Sequence, residues 1–227
     1  MPVLSSVIKQ FTAFKELPHA VIEQLCLHAT LTEAPRRKII MHKGEVSPSL
    51  GLLLEGRLQG VDMTLDGYEA GLYFIEPYDF FAELSVIDSL PAPEYIVALS
   101  TVKFITIPNY IIQALVKSSP EMANIMNHRL AQRLRTSISQ RSLLAMPTPI
   151  QRICSLLISM VQTDNANNAI ILDSPTHQEL AIMINTTRET VTRSFQKLQK
   201  NNIIKRNGTT LMLNNLHYIQ SVANNES

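Results

Sequence analysis

Tryptophan is absent from this sequence of 227 residues, and cysteine occurs only at Cys26 and Cys154. Two thiols so far apart, in no C-x-x-C or metal-spaced cluster, argue against a disulfide framework and against an iron–sulfur cluster. Free thiols in a reducing compartment are the expectation. No apolar run approaches 18 residues and no basic-then-apolar stretch opens the chain, so the reading is a soluble, cytoplasmic protein without a membrane partner. Charge of one sign is also scarce: the formal net charge is +1, which excludes a protein that coats nucleic acid and confines any DNA binding to a local patch. The strings G-x-x-x-x-G-K-[ST], G-x-G-x-x-G, G-x-S-x-G and H-E-x-x-H are missing and the carboxylates are scattered, so the chain reads as a non-enzyme. What remains is a length beyond one typical domain with 45% hydrophobic residues, enough for two cores.

The most informative stretch runs from Pro175 to Asn201. Thr176 and Glu179 form a capping box, so a helix starts there, with Leu180, Ala181, Met183 and Ile184 on its buried face. Asn185 tolerates left-handed dihedrals and makes a turn. Thr187 then caps a second helix, on which Val191, Phe195 and Leu198 form one apolar stripe at i, i+4 and i+7. Its other side carries Arg188, Glu189, Thr192, Arg193, Gln196, Lys197 and Lys200. Two short helices across a tight turn match the helix-turn-helix, whose second helix enters the DNA major groove. Arginine bonds guanine O6 and N7, glutamate accepts from cytosine N4, and threonine meets a thymine methyl or a phosphate. Between Asn185 and Arg206 six Lys or Arg stand against one acid, Glu189, a balance of +5 in a chain of +1. Such concentration is the footprint of phosphate binding. A solvated amphipathic surface helix, used to dock on another protein, remains the alternative. Asn207-Gly208 between two β-prone runs then predicts a hairpin, which makes the motif winged.

At Gln178-Glu179-Leu180-Ala181, Thr187-Arg188-Glu189-Thr190-Val191-Thr192-Arg193 and Asn202-Ile203-Ile204 the chain resembles the Crp/Fnr bacterial transcription regulators. The resemblance implies that Arg188, Glu189 and Arg193 read bases, with Thr176, His177, Gln178, Thr187, Thr192 and Lys197 completing the DNA-binding set. It further implies double-stranded DNA, a second identical chain and RNA polymerase as partners. Asn185 stands where the family's turn usually has glycine.

Residues 1–108 have a different texture. Leu17 to Thr30 spaces Val21, Ile22, Leu25, Cys26 and Leu27 as a helix. Six of the seven glycines then fall between Gly44 and Gly71, separating short β-prone runs, and Asp66-Gly67 reads as a hairpin turn. Strands at about ten-residue intervals, continued by Tyr95–Leu99 and Val102–Ile107, predict an antiparallel roll or barrel. The family's sensor is a cyclic-nucleotide-binding roll, and Asp79-Phe80-Phe81-Ala82-Glu83-Leu84-Ser85 is similar to the start of its phosphate cassette. Ala82 replaces the family glycine and Glu83 keeps the ribose-binding acid, but the phosphate-clamping arginine and serine fall on Pro93-Glu94. An acid there repels a phosphate. The expectation is an effector other than cyclic AMP, in a pocket of Ala82, Glu83, Leu84, Ser85, Glu94, Tyr95 and Ser137, the alternatives being control without an effector and, last, a response to a cyclic nucleotide; Glu83 reads equally as an acid paired within the roll. His19, His28 and His42 read as ordinary histidines rather than haem ligands.

Ser119-Pro120-Glu121 starts a long helix to about Ala145. Met122, Met126, Leu130, Leu134 and Ile138 recur every four residues, while Arg129, Gln132, Arg133, Arg135 and Gln140 face elsewhere. So long and narrow a seam suits pairing with a second copy, the alternative being a helix laid on its own roll. Met146-Pro147-Thr148-Pro149 then breaks the ladder, with Thr148 capping a helix of stripe Ile150, Ile153, Leu156, Leu157 and Met160. The expected architecture is α+β: a cyclic-nucleotide-binding-type β-roll for effector sensing (1–118), a dimerisation helix (119–146) and a winged helix-turn-helix DNA-binding domain (147–227).

Overall fold

A computed structural model describes residues 3–63, 69–164 and 166–224, so the predicted Asp66-Gly67 turn lies outside the described residues. The chain forms two compact units, residues 1–68 with 72–137, and residues 138–227 with 69–71.

In the first unit, helices α1 (Ser5–Ile8) and α2 (His19–His28) precede strands β1 (Thr30–Ala34), β2 (Ile39–Met41), β3 (Ser49–Glu55), β4 (Leu58–Met63), β5 (Glu69–Ile75) and β6 (Phe80–Phe81). A short helix α3 (Glu83–Asp88), strands β7 (Tyr95–Ala98) and β8 (Val102–Pro108), and helices α4 (Asn109–Ser118) and α5 (Pro120–Leu144) follow. The strands make two sheets, ordered β1-β8-β3-β6 and β2-β7-β4-β5. Strand β3 shows why the roll holds together. Side chains alternate across a strand, so Leu50 and Leu52 join Phe11, Phe14, Ile22, Leu25 and Met122 beneath the helices. Leu53 joins Leu58, Phe81, Ile96 and Phe104 between the sheets. A strand buried on both sides therefore reads as the continuous apolar run Leu52-Leu53-Leu54. On α2, Ile22 and Leu25 are buried while Leu27 is exposed, so the buried stripe is narrower than the sequence predicts.

Helix α5 starts where Ser119 accepts a hydrogen bond from the Met122 amide at 3.3 Å. Met122 and Met126 are buried, whereas Leu134 and Ile138 are 63% and 58% exposed. Arg129 and Arg133, which lie off the apolar seam, turn to the roll: Arg129 is buried and both reach its carboxylates. The cause is electrostatic, because acids sunk in the roll draw in the nearest cations.

In the second unit, helix α6 (Pro149–Ser159) begins at Thr148, which exchanges capping hydrogen bonds with Gln151, and Pro149 occupies the first turn. Gln151, Ile153, Cys154, Leu156 and Leu157 are its buried residues, while Ile150 and Met160, expected in the stripe, are half-buried. Strands β9 (Gln162–Thr163) and β10 (Ala169–Ile171), helices α7 (His177–Met183) and α8 (Arg188–Lys200), strands β11 (Ile204–Asn207) and β12 (Thr210–Leu213), and helix α9 (Leu216–Asn224) complete it. The strands form one sheet, ordered β11-β12-β10-β9. Both thiols are free, and burial raises both, Cys154 to about 12.

Gly51 pairs with Phe81 across β3 and β6, and any Cβ at Gly51 collides with the Phe81 ring. Gly51→Ala is expected to cost about 1–3 kcal/mol by overpacking, lowering the melting temperature by about 5 °C. Thermal melting followed by circular dichroism checks this; an unchanged midpoint refutes it.

Candidate nucleic-acid interface and roll interior

The helix-turn-helix is built locally. Thr176 accepts from the Glu179 amide at 3.3 Å and the Glu179 carboxylate accepts from the Thr176 amide at 2.9 Å, which satisfies two donors at the start of α7. Asn185 takes φ 49, the left-handed turn expected of it. Carbonyls left open at the end of α7 are taken up from elsewhere in the unit: Gln140 donates to the Met183 carbonyl at 2.7 Å and Arg152 to the Ile184 carbonyl at 2.8 Å. A cation at a helix C-terminus also suits the helix dipole. Thr187 caps α8 by accepting from the Thr190 amide at 3.2 Å.

On α8 the inward side is Val191, Phe195 and Leu198. Arg188, Glu189, Arg193, Gln196, Lys197 and Lys200 are exposed, as is Gln178 on α7. The other residues singled out in the sequence are engaged nearer home. The hydroxyls of Thr176 and Thr187 serve as caps. Thr192 donates to the Arg188 carbonyl at 2.9 Å, so its oxygen accepts from Nδ1 of His177, also at 2.9 Å. The His177 ring packs on Phe195 with centroids 4.7 Å apart. Burial, followed by the charges of Arg206 and Arg188, lowers the His177 pKa below its ordinary 6.5. In the hairpin, Asn207 pairs with Thr210 and Gly208 turns at φ 58. Arg206 donates to Ser174 Oγ at 3.0 Å and to the Pro175 carbonyl at 3.2 Å, which fastens the hairpin to the start of α7 and withdraws that cation from the tip.

Inside the roll the residues expected to line an effector pocket do not all converge. Ala82 is buried at φ 67, a left-handed conformation that costs an alanine about 1–2 kcal/mol, and it opens α3. Glu83 is only 3% exposed, and one of its oxygens lies 3.1 Å from Arg129 Nε and 3.0 Å from Arg133 Nε. Arg129 also forks onto Asp79 at 2.6 and 2.8 Å, donates to the Phe80 carbonyl and lies over the Phe80 ring. Burial alone would lower the Arg129 pKa, but Glu83 and Asp79 outweigh it and hold it above its ordinary value. Glu94, 8% exposed, accepts from Arg133 Nη2 at 2.8 Å and from the Tyr73 hydroxyl at 2.7 Å. The Arg133 guanidinium lies 3.5 Å from the Tyr73 ring centroid. Burial pushes the Tyr73 phenol well above its ordinary pKa, against the pull of Arg133, so it stays neutral and donates. Ser85 is buried with its hydroxyl unpartnered, and Leu84 is half-buried. Tyr95 opens β7, whose inward positions are Ile96 and Ala98, and so lies on the opposite face, edge-on to His42. Ser137 is exposed on α5.

Of the sequence expectations for Glu83, the paired acid is the one observed. Arg129, Arg133, Tyr73 and Asp79 were not assigned to the site from the sequence. Their signal was two arginines four apart, flanking the α5 stripe, in a chain with acids set among aromatic and aliphatic neighbours.

Comparison with known proteins finds a cyclic nucleotide-binding domain over residues 31–119 and a Crp-like helix-turn-helix domain over residues 151–221. The cyclic AMP receptor protein of Thermus thermophilus is 24% identical over 189 residues, covering 83% of this chain and 86% of that protein. A CRP-like cAMP-activated global transcriptional regulator of Mycobacterium tuberculosis is 20% identical over 213 residues, 92% of this chain and 95% of that one. Among solved structures, FixK2 from Bradyrhizobium japonicum matches with a TM-score of 0.76 at 17% identity, over 86% of this chain and 96% of FixK2. A CooA mutant from Carboxydothermus hydrogenoformans matches at 0.75 and 17%, over 96% and 95%.

The depressed His177 pKa fixes the sign of a pH effect. Above 6.5 the ring is neutral folded or unfolded; as pH falls through 6.5 the unfolded chain binds the proton first, so stability drops. The wild type is expected to lose more melting temperature than His177→Gln between about pH 7.5 and about pH 5.5. Parallel pH series of thermal melts check this, and equal losses refute it.

Proposed function

The chain belongs to the Crp/Fnr family of DNA-binding transcription regulators, and on that premise we propose that it acts as a homodimer, each copy setting α8 into a major groove. The observation that carries the reading is the division of α8. Val191, Phe195 and Leu198 hold it to the unit, while Arg188, Glu189, Arg193 and Lys197 stand together in solvent. In this reading Arg188 and Arg193 donate to guanine edges, Glu189 accepts from cytosine, and Lys197, Lys200 and Gln178 meet phosphates. His177, Thr192, Thr176 and Thr187 position these groups, since their own polar atoms are engaged within the motif. Leu134 and Ile138, exposed one turn apart on α5, are the contact with a second copy. Two recognition helices then read half-sites one helical turn apart, about 34 Å. We assign residues 1–118 to sensing, 119–146 to dimerisation and 147–227 to DNA binding, in the cytoplasm, with RNA polymerase as the partner that converts occupancy into output.

The roll does not offer a cyclic nucleotide the family's clamp. Where the phosphate-binding pair would stand, Pro93-Glu94 presents an acid already bonded to Tyr73 and Arg133. This favours control by something other than cyclic AMP.

Arg188→Ala and Arg193→Ala should each weaken specific binding by about 10- to 100-fold, from about 1–3 kcal/mol per bidentate base contact, while nonspecific binding at low salt persists. Fluorescence anisotropy with operators selected from random duplexes measures this. Unaltered binding by both variants favours a protein-docking role instead. Leu134→Asp combined with Ile138→Asp should yield monomers in sedimentation and abolish operator binding; an intact dimer refutes the assigned seam.

A further inference from the structure

The roll interior combines features that a phosphate site would not tolerate. Two carboxylates, Glu83 and Glu94, sit nearly excluded from solvent. Two buried like charges are not both ionised unless a cation lies between them. Here that cation is the guanidinium of Arg133, bounded at one edge by Glu83 at 3.0 Å and at another by Glu94 at 2.8 Å. Its flat face lies against the Tyr73 ring at 3.5 Å. The hydroxyl of Tyr73 fixes the Glu94 oxygen in turn. Gly60 makes room for this wall, since a Cβ there would fall 2.5 Å from the Tyr73 ring. Acids at two edges and an aromatic plane at the face describe a receptor for a planar cation. The fit is also incomplete, because Arg133 Nε, although close to Glu83, finds no aligned hydrogen-bond acceptor. A guanidinium not tethered at Cδ would be free to settle.

From these contacts we infer that the roll interior is a guanidinium-recognition site, occupied in this chain by its own Arg133, and that its proper small-molecule class is guanidinium cations rather than anionic nucleotides. Arg133 thereby stands as an internal ligand, holding α5 to the roll with no effector bound. This deepens the proposed function and rests on its reading that the roll does not take cyclic AMP.

The test is calorimetric melting of the full chain, with methylguanidinium, methylammonium and cyclic AMP as probes at millimolar concentration. Arg133→Ala leaves the buried Glu94 without a cation, Glu83 keeping Arg129, and is expected to melt about 10 °C lower than wild type. Methylguanidinium should raise that midpoint saturably, methylammonium should do so less, and Arg133→Ala with Glu94→Gln should lose the response. Wild type should respond to none of the three. No saturable shift in Arg133→Ala, or the same shift in wild type, overturns the inference. Should Arg133→Ala fail to fold, Arg133→Lys decides. Its point charge is expected not to bridge both acids and to melt below wild type, and a wild-type midpoint overturns the inference. Melting requires no DNA, so failure of the operator assay leaves it standing, whereas stabilisation of wild type by cyclic AMP removes the reading beneath it.

Discussion

Two arginines and three acids inside the roll set the terms for the first unit. Arg129 and Arg133 extend from α5 into an interior that holds Asp79, Glu83 and Glu94. Breaking a buried ion pair costs about 3–5 kcal/mol, because the partner left behind is charged and dry. The network joins the helix to the strands beside the apolar contact made by Met122 and Met126, which enter the cluster a turn or two earlier on the same helix. It also sets the electrostatics of the interior, where two cations stand among three acids and leave no surplus of positive charge.

The DNA-facing motif is assembled on another principle. Its parts are local: a reciprocal cap at Thr176 and Glu179, a left-handed Asn185, a second cap at Thr187 and a stripe at Val191, Phe195 and Leu198. Nearly every polar group inside the motif is engaged there, down to the His177–Thr192–Arg188 chain. The long charged arms of α8 are left as its outward feature. Fixed backing behind exposed arms suits recognition, because less backbone order must be created on binding.

This contrast explains what the amino-acid sequence disclosed. Caps, turn residues and a 3.6-residue period all act within a few positions, so the two helices and the hairpin could be read with their boundaries. Strands such as β3 and β8 were legible because burial on two faces leaves continuous apolar runs. The ion network joins residues 39 to 50 positions apart, and a helical arginine looks the same in sequence whether water or a carboxylate awaits it. Only the fold brings Glu83 beneath Arg129 and Arg133. Likewise Tyr95 was grouped with Glu94 as a neighbour in sequence, and the alternation along β7 turns it away from the inward face of Ile96 and Ala98.

One oxygen of Glu83 faces two guanidinium groups at once. Exchanging this acid alone would leave Arg129 to Asp79 and Arg133 to Glu94, each with one carboxylate where it had two, so a single change at position 83 slackens both arms of the helix at once.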